Sequence, residues 1–256
     1  MPRVPSPLTG LVVWCAPRLI GRLLVGAVVL ALLVAALAWL VALSPLALTA
    51  VFDRPVLERV AGTRSPVPTA VAHAVVHLAS PEFAGIGTVL LVAVVGLRRQ
   101  RWDVVVTIGA TVWGAFAVSV LLKFLTLRDR PGDELALVDA VGPAFPSGHV
   151  LRAVALYGVL AWMLAAGRHG WRRSLPWIAA AAIVMVVGAG RVYLGAHWVS
   201  DVIAAGVVAA VWTGYAVRML RFERERFAPP PVVPGSPRPV VVRSRPPSPR
   251  ASARRA

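Results

Sequence analysis

Six stretches of this chain are apolar over lengths that suit a lipid bilayer, with short polar segments between them. A spanning helix needs roughly 20 apolar residues, with a range of about 17–25. The run LLVGAVVLALLVAALAWLVAL (23–43) meets that length. It is too long for the apolar core of a signal peptide and reads as a retained anchor. FAGIGTVLLVAVVGL (83–97) is a shorter second span. VVVTIGATVWGAFAVSVLLKF (104–124), VLRAVALYGVLAWMLAAG (150–167), LPWIAAAAIVMVVGAG (175–190) and VIAAGVVAAVWTGYAV (202–217) complete the set. The pattern predicts an all-α fold, a polytopic bundle of six transmembrane helices.

Two segments fall outside that bundle. Residues 52–82 form a long connection, and its semi-apolar piece PTAVAHAVVHLA (68–79) is too short to span, which suits an interfacial helix. Residues 228–256 are rich in Pro, Ser and Arg with no periodicity, the composition of a disordered tail. The chain therefore divides into an N-terminal segment (1–22), a six-span domain (23–222) and a tail (223–256).

Composition agrees with a membrane protein. Hydrophobic residues make up 58% and charged residues 15%, against about 45–50% and 25% in soluble domains. The net charge of +16 would suit nucleic acid, but the arginines gather at the ends of apolar runs and in the tail, which argues against that partner. Arg3, Arg18 and Arg22 precede the first span. Arg98, Arg99 and Arg101 lie between the second and third, Arg168, Arg172 and Arg173 between the fourth and fifth, and Arg218 and Arg221 after the sixth. With six spans these clusters share one side, so both termini are expected in the cytoplasm of a multi-pass cell-membrane protein. Cys15 is the single cysteine, so no intramolecular disulfide can form.

The remaining polar residues collect on the opposite, extracytoplasmic side, where an outward-facing active site at the membrane surface is expected. Lys123, the one lysine of the chain, closes the third span, and Arg128, Asp129, Arg130 and Pro131 follow it. FPSGH opens the fourth span, Arg191 ends the fifth, His197 starts the next segment, and Asp201 opens the sixth. Ionisable groups at the membrane edge are costly and point to function. Lys123 and Arg130 are seven residues apart, two helical turns, so both can point the same way. Ser147 is a good N-cap residue, and the free N–H groups of Gly148 and His149 would then face an anion at a helix N-terminus. His197 and Asp201 stand at i and i+4, so the carboxylate can orient the imidazole. Gly195 is placed to break the chain and bring Arg191 beside His197. Three fixed cations, an anion nest and two histidines match phosphoryl transfer, where charge stabilisation dominates. The histidines can divide the roles of nucleophile and general acid. No Asp/Glu cluster for magnesium and no Cys/His set for zinc stands out, so no metal or other cofactor is expected. His73 and His77 have metal-like spacing without a third ligand, and packing on the interfacial helix accounts for them. Arg128 and Asp129 read as a surface ion pair.

KFLTLRDRP (123–131), PSGH (146–149) and GRVYLGAHWVSD (190–201) together resemble the three motifs of the type-2 phosphatidic acid phosphatase superfamily, K-x6-R-P, P-S-G-H and S-R-x5-H-x3-D. That superfamily shares its core with the vanadium haloperoxidases. The resemblance implies metal-independent hydrolysis of a lipid phosphate or diphosphate, with His197 as nucleophile, Asp201 orienting it and His149 protonating the leaving group. It implies a phosphate held by Lys123, Arg130, Arg191, Ser147 and Gly148. Gly190 stands where the motif usually has Ser, which removes a hydroxyl near the phosphate. A lipid phosphotransferase on the same scaffold and a non-catalytic transporter or scaffold are the competing functions.

Arg152 lies outside the motifs, one turn after His149, and needs an anion inside an apolar span. Asp201 could supply it as a structural ion pair. A second phosphate or headgroup oxygen of the substrate is the other candidate.

Overall fold

The computed structural model describes residues 17–42, 49–98 and 101–227, and every regular element within them is helical. Helix α1 spans Pro17–Ala42. A π turn, Thr49–Asp53, leads into α2, Arg54–Gly62. Helix α3, Pro66–Val76, continues as a 3-10 turn through His77–Ala79. Helix α4, Pro81–Ala93, runs on as a π turn to Arg98. The four remaining helices are α5 (Trp102–Thr126), α6 (Gly148–Ala165), α7 (Trp171–Tyr193) and α8 (Val199–Phe227).

Five of these stretches are long and apolar enough to cross a membrane: Pro81–Arg98, Trp102–Thr126, Gly148–Ala165, Trp171–Tyr193 and Val199–Met219. They coincide with the predicted spans two to six. The predicted first span starts inside α1, whose apolar stretch among the described residues is the shorter Ile20–Val34. The last residue of that span, and the predicted tail from 228 onward, lie outside the described residues. The protein is thus a multi-pass membrane protein, all-helical over the described residues.

Local chemistry sets the helix boundaries. Pro81 sits in the first turn of α4, and the Ser80 hydroxyl accepts the Phe83 N–H at 3.2 Å, the usual N-cap arrangement. Helix α5 ends where Leu127 turns left-handed at φ 46° and donates to the Lys123 carbonyl. The helices meet through small side chains. Ala115, Ala155, Ala205, Ala209 and Ala216 share one core with Leu122, Leu151 and Trp212, which joins α5, α6 and α8. Leu23, Ala27, Leu30 and Val34 of α1 pack against it. Without a hydrophobic drive between helices in lipid, close contact at small residues supplies the packing energy. Trp212 satisfies its indole N–H on the Thr111 and Ala110 carbonyls of α5 at 3.1 and 3.2 Å. Trp113, Ile178, Met185 and Val207 face outward, as lipid-facing positions do.

Above one end of this bundle lie α2, α3 and the 127–147 loop. A second core, formed by Leu57, Leu135, Ala144, Val192 and Trp198, fastens α2 and the loop to the α7–α8 junction. Arg64 ties the start of α3 to the same place by donating to the Tyr193 carbonyl (2.9 Å) and the Leu135 carbonyl (2.8 Å). Helix α3 packs Ala72 and Val76 against Leu194 and leaves Val67 and Val71 exposed. The piece expected to be too short to span, 68–79, falls within this helix and its 3-10 extension, Pro66–Ala79.

Candidate active site

The turn between α7 and α8 builds the centre of the site. Gly195 has φ +68°, a conformation that L side chains rarely adopt. The loop backbone passes so close that a Cβ there would lie 2.8 Å from Ala136 Cα. The chain reverses, the Ala196 N–H bonds the Arg191 carbonyl at 3.1 Å, and His197 is delivered into the interior, 2% exposed.

Asp201 is fully buried in the first turn of α8. Its Oδ2 accepts the Trp198 N–H at 3.0 Å, so it closes the helix N-terminus from the third helical position. Its distance to His197 Nδ1 is 3.7 Å, too long for a hydrogen bond. Among the described residues Nδ1 has no hydrogen-bond partner. Asp201 faces the ring, as its spacing suggested, but acts on it as a nearby charge.

Arg130 reaches the other side of the ring. Its Nη1 lies 3.4 Å from His197 Nε2 and donates to the Ala196 carbonyl at 2.5 Å, while Nε donates to the Gly142 carbonyl at 2.8 Å. Lys123 donates to the Pro143 carbonyl, which Arg130 Nη2 also approaches at 3.4 Å. The two cations therefore converge, but not along one helix. Helix α5 stops at Thr126, and the loop folds back to supply a shared acceptor.

Arg191, at the end of α7, is 9% exposed and has an unsatisfied Nε, and among the described residues it makes no salt bridge. Ser147 holds the N-cap position of α6, yet its hydroxyl makes no capping bond and is buried without a partner. The expected cap is thus a free, inward hydroxyl. His149 follows in the first turn. Gly190 explains the missing motif hydroxyl: a Cβ there would lie 2.9 Å from Val76 Cγ1 and 3.4 Å from the Ala72 carbonyl. Helix α3 occupies the space that a serine would need.

Two expectations fail in detail. Arg128 does not read as a surface partner of Asp129. Its Nη1 donates to Asp201 Oδ1 at 2.6 Å and its Nη2 to Asp53 Oδ2 at 2.7 Å. Asp53 is fully buried and also accepts the Ser200 N–H (2.9 Å) and hydroxyl (2.6 Å). Arg152 is not the partner of Asp201, because Arg128 already holds that carboxylate. Arg152 donates instead to the Ala79 carbonyl at 3.0 Å, and its Nη2 lies 3.2 Å from His149 Nδ1. Asp53 was the missed residue. An acid directly after Ala50, Val51 and Phe52 was its one signal. His73 and His77 are exposed, and no group of three potential metal ligands forms among the described residues.

Burial is the main reason that the His197 imidazole is pulled down to about 4. Arg130 and Arg191 add to the effect and Asp201 opposes it. Burial also lowers the Arg130 guanidinium, again against Asp201.

The family model of the PAP2 superfamily matches residues 101–225, which contain Lys123, Arg130, Ser147, His149, Arg191, His197 and Asp201. Phosphatidylglycerophosphatase B of Bacillus subtilis is 32% identical over 145 residues, 55% of this chain and 69% of that protein. Decaprenylphosphoryl-5-phosphoribose phosphatase of Mycobacterium tuberculosis is 32% identical over 132 residues, 50% of this chain and 66% of that protein. The crystal structure of the Bacillus subtilis transmembrane PAP2-type phosphatidylglycerolphosphate phosphatase superposes with a TM-score of 0.63 at 24% identity, covering 81% of this chain and 96% of that one. LpxE of Aquifex aeolicus superposes at 0.51 with 17% identity over 65% and 94%. The chain belongs to the PAP2 superfamily. It is an enzyme of the lipid phosphatase class.

In substrate-free protein the His197 ring is expected to titrate with a midpoint near 4, read by nuclear magnetic resonance of labelled histidine. The ring is then neutral above that pH, and its lone pair is lost only as pH falls through the midpoint. Arg130→Ala should move the midpoint upward. A midpoint near the ordinary value of about 6.5 would contradict this description of the site.

Proposed function

We propose that this protein hydrolyses a lipid phosphate monoester or diphosphate without a metal, through a phosphohistidine on His197. The observation that carries the reading is a pair of buried donors at the site that the protein itself leaves unmatched, Arg191 Nε and Ser147 Oγ. Buried polar groups are nearly always satisfied, and a phosphate's oxygens would satisfy these. On this reading Lys123, Arg130, Arg191, Ser147 and the Gly148 N–H hold the phosphoryl group. His197 attacks through Nε2, the nitrogen facing Arg130. Asp201, anchored by Arg128 and Trp198, balances the charge that grows on the ring when Nε2 bonds to phosphorus. His149 serves the leaving oxygen. The relatives named for phosphatidylglycerophosphate and for decaprenylphosphoryl-5-phosphoribose support a substrate with a lipid anchor.

Purified protein should release inorganic phosphate from at least one of phosphatidic acid, phosphatidylglycerophosphate and a polyprenyl diphosphate, and should do so in EDTA. His197→Ala should lose at least about a thousandfold in kcat. A magnesium requirement, or wild-type turnover in His197→Ala, would defeat the proposal. Product formed only with an added alcohol acceptor would show a transferase instead.

The orientation belongs to the same proposal. The arginine clusters support cytoplasmic termini and an extracytoplasmic site. Topology reporters joined after residue 135 and after residue 225 should report opposite sides of the membrane. The same side for both would break the six-span arrangement.

A further inference from the structure

Arg152 is part-buried on α6, one turn beyond His149, and two acceptors fix its guanidinium. Nε bonds the Ala79 carbonyl at 3.0 Å, and Nη2 lies 3.2 Å from His149 Nδ1. Ala79 is itself buried, in the turn that joins α3 to α4, so this anchor does not move with solvent. A guanidinium has donors only. His149 Nδ1 must therefore be the acceptor, and the neutral ring keeps its proton on Nε2. The same reasoning gives the opposite result at His197. There Arg130 meets Nε2 at 3.4 Å, and Nδ1 faces Asp201 at 3.7 Å. That ring has its lone pair on Nε2 and its proton on Nδ1. Two arginines thus sort two histidines into opposite tautomers. One suits attack on phosphorus and the other suits donation to an oxygen. The other charged or titratable groups acting on His149 are Arg191, His197 and His77, and none is a carboxylate that would hold a proton on Nδ1.

We propose that Arg152 is a positioning residue that locks His149 in the Nε2–H tautomer, so that the ring presents a proton to the leaving oxygen. The inference rests on the phosphatase reading above. In the first step His197 Nε2 bonds to phosphorus as the bond from phosphorus to the leaving oxygen breaks. The proton on His149 Nε2 passes to that oxygen, and the electron pair left on the ring is stabilised by Arg152. In the second step water attacks the phosphohistidine, its proton returns to His149 Nε2, and His197 and free phosphate are regenerated. A neutral imidazole serving as electrophile at a helix N-terminus has precedent as a physical pattern, and His149 stands in the first turn of α6.

The test combines a spectrum with a leaving-group comparison. In nitrogen-labelled, substrate-free protein, His149 should show the Nε2–H form. Arg152→Met should move it to the Nδ1–H form or to a mixture, and Arg152→Lys, which also only donates, should restore part of the original signal. For a lipid phosphate, whose alkoxide needs a proton, kcat/KM of Arg152→Met should fall by at least about tenfold. For p-nitrophenyl phosphate, whose phenolate departs unprotonated, the fall should stay under about threefold. A merely structural residue would lower both alike. If Arg152→Met cannot be purified, Arg152→Gln serves, because its amide can donate or accept and should leave mixed tautomers. An unchanged tautomer in either variant, or equal losses for the two leaving groups, overturns the proposal. The tautomer is read without substrate, so its failure is distinct from failure of the phosphatase reading, which would show as no phosphate release by the wild type.

Discussion

A buried guanidinium needs an anion, and the way this protein distributes its few carboxylates decides what its site can bind. Charges at membrane depth are expensive, and an ion buried without a partner costs several kcal/mol. Asp53 and Asp201 are both fully buried, and both are held by Arg128 at 2.6–2.7 Å. That pairing commits two fully buried acids to structure. Lys123 and Arg130 are left with backbone carbonyls as their acceptors, and Arg191 keeps an unsatisfied Nε. The site is therefore electrostatically incomplete in the direction of an anion, and burial, with Arg130 and Arg191 nearby, lowers the His197 imidazole.

The Arg128 bridge also links the site to the fold. Asp53 belongs to the turn before α2, Arg128 to the loop after α5, and Ser200 and Asp201 to the first turn of α8. Asp53 satisfies the Ser200 N–H and Asp201 the Trp198 N–H, so the free donors at the start of α8 are met by the same carboxylates that hold Arg128. Trp198 completes the joint with its ring 5.9 Å beneath the Arg128 guanidinium and its indole N–H on the Asp129 carbonyl. Position is thereby fixed for the two groups that flank the His197 ring. Helix α3 closes the assembly from above by packing on Gly190, a contact that excludes the hydroxyl usual in this motif.

Much of this was legible in the sequence, for physical reasons that differ by feature. Spans two to six were visible because membrane helices must be apolar over a fixed length, and the described helices coincide with them. The clustering of Lys123, Arg130, Arg191, His149 and His197 at one end followed from their places at span boundaries. What could not be read was tertiary. Arg128 stands next to Asp129 in sequence, but its carboxylates are 75 and 73 residues away. Ser147 has the residue type and position of an N-cap, yet its hydroxyl is withheld from the helix. Arg152 required an acceptor, and helix periodicity could name His149 as a neighbour but not the Ala79 carbonyl that fixes the guanidinium. The i,i+4 spacing of His197 and Asp201 put the carboxylate beside the ring but could not show that Trp198 and Arg128 hold it 3.7 Å off.

On the proposed mechanism this cationic site transfers a phosphoryl group through His197. The most direct measurement is to quench turnover of a phosphate-labelled lipid substrate within milliseconds and map any covalent phosphate by peptide mass spectrometry under alkaline conditions. The account requires an acid-labile, alkali-stable phosphoryl group on His197 that forms and decays at rates compatible with turnover. Turnover with no covalent phosphate, or with the phosphoryl group on a different residue, would contradict it.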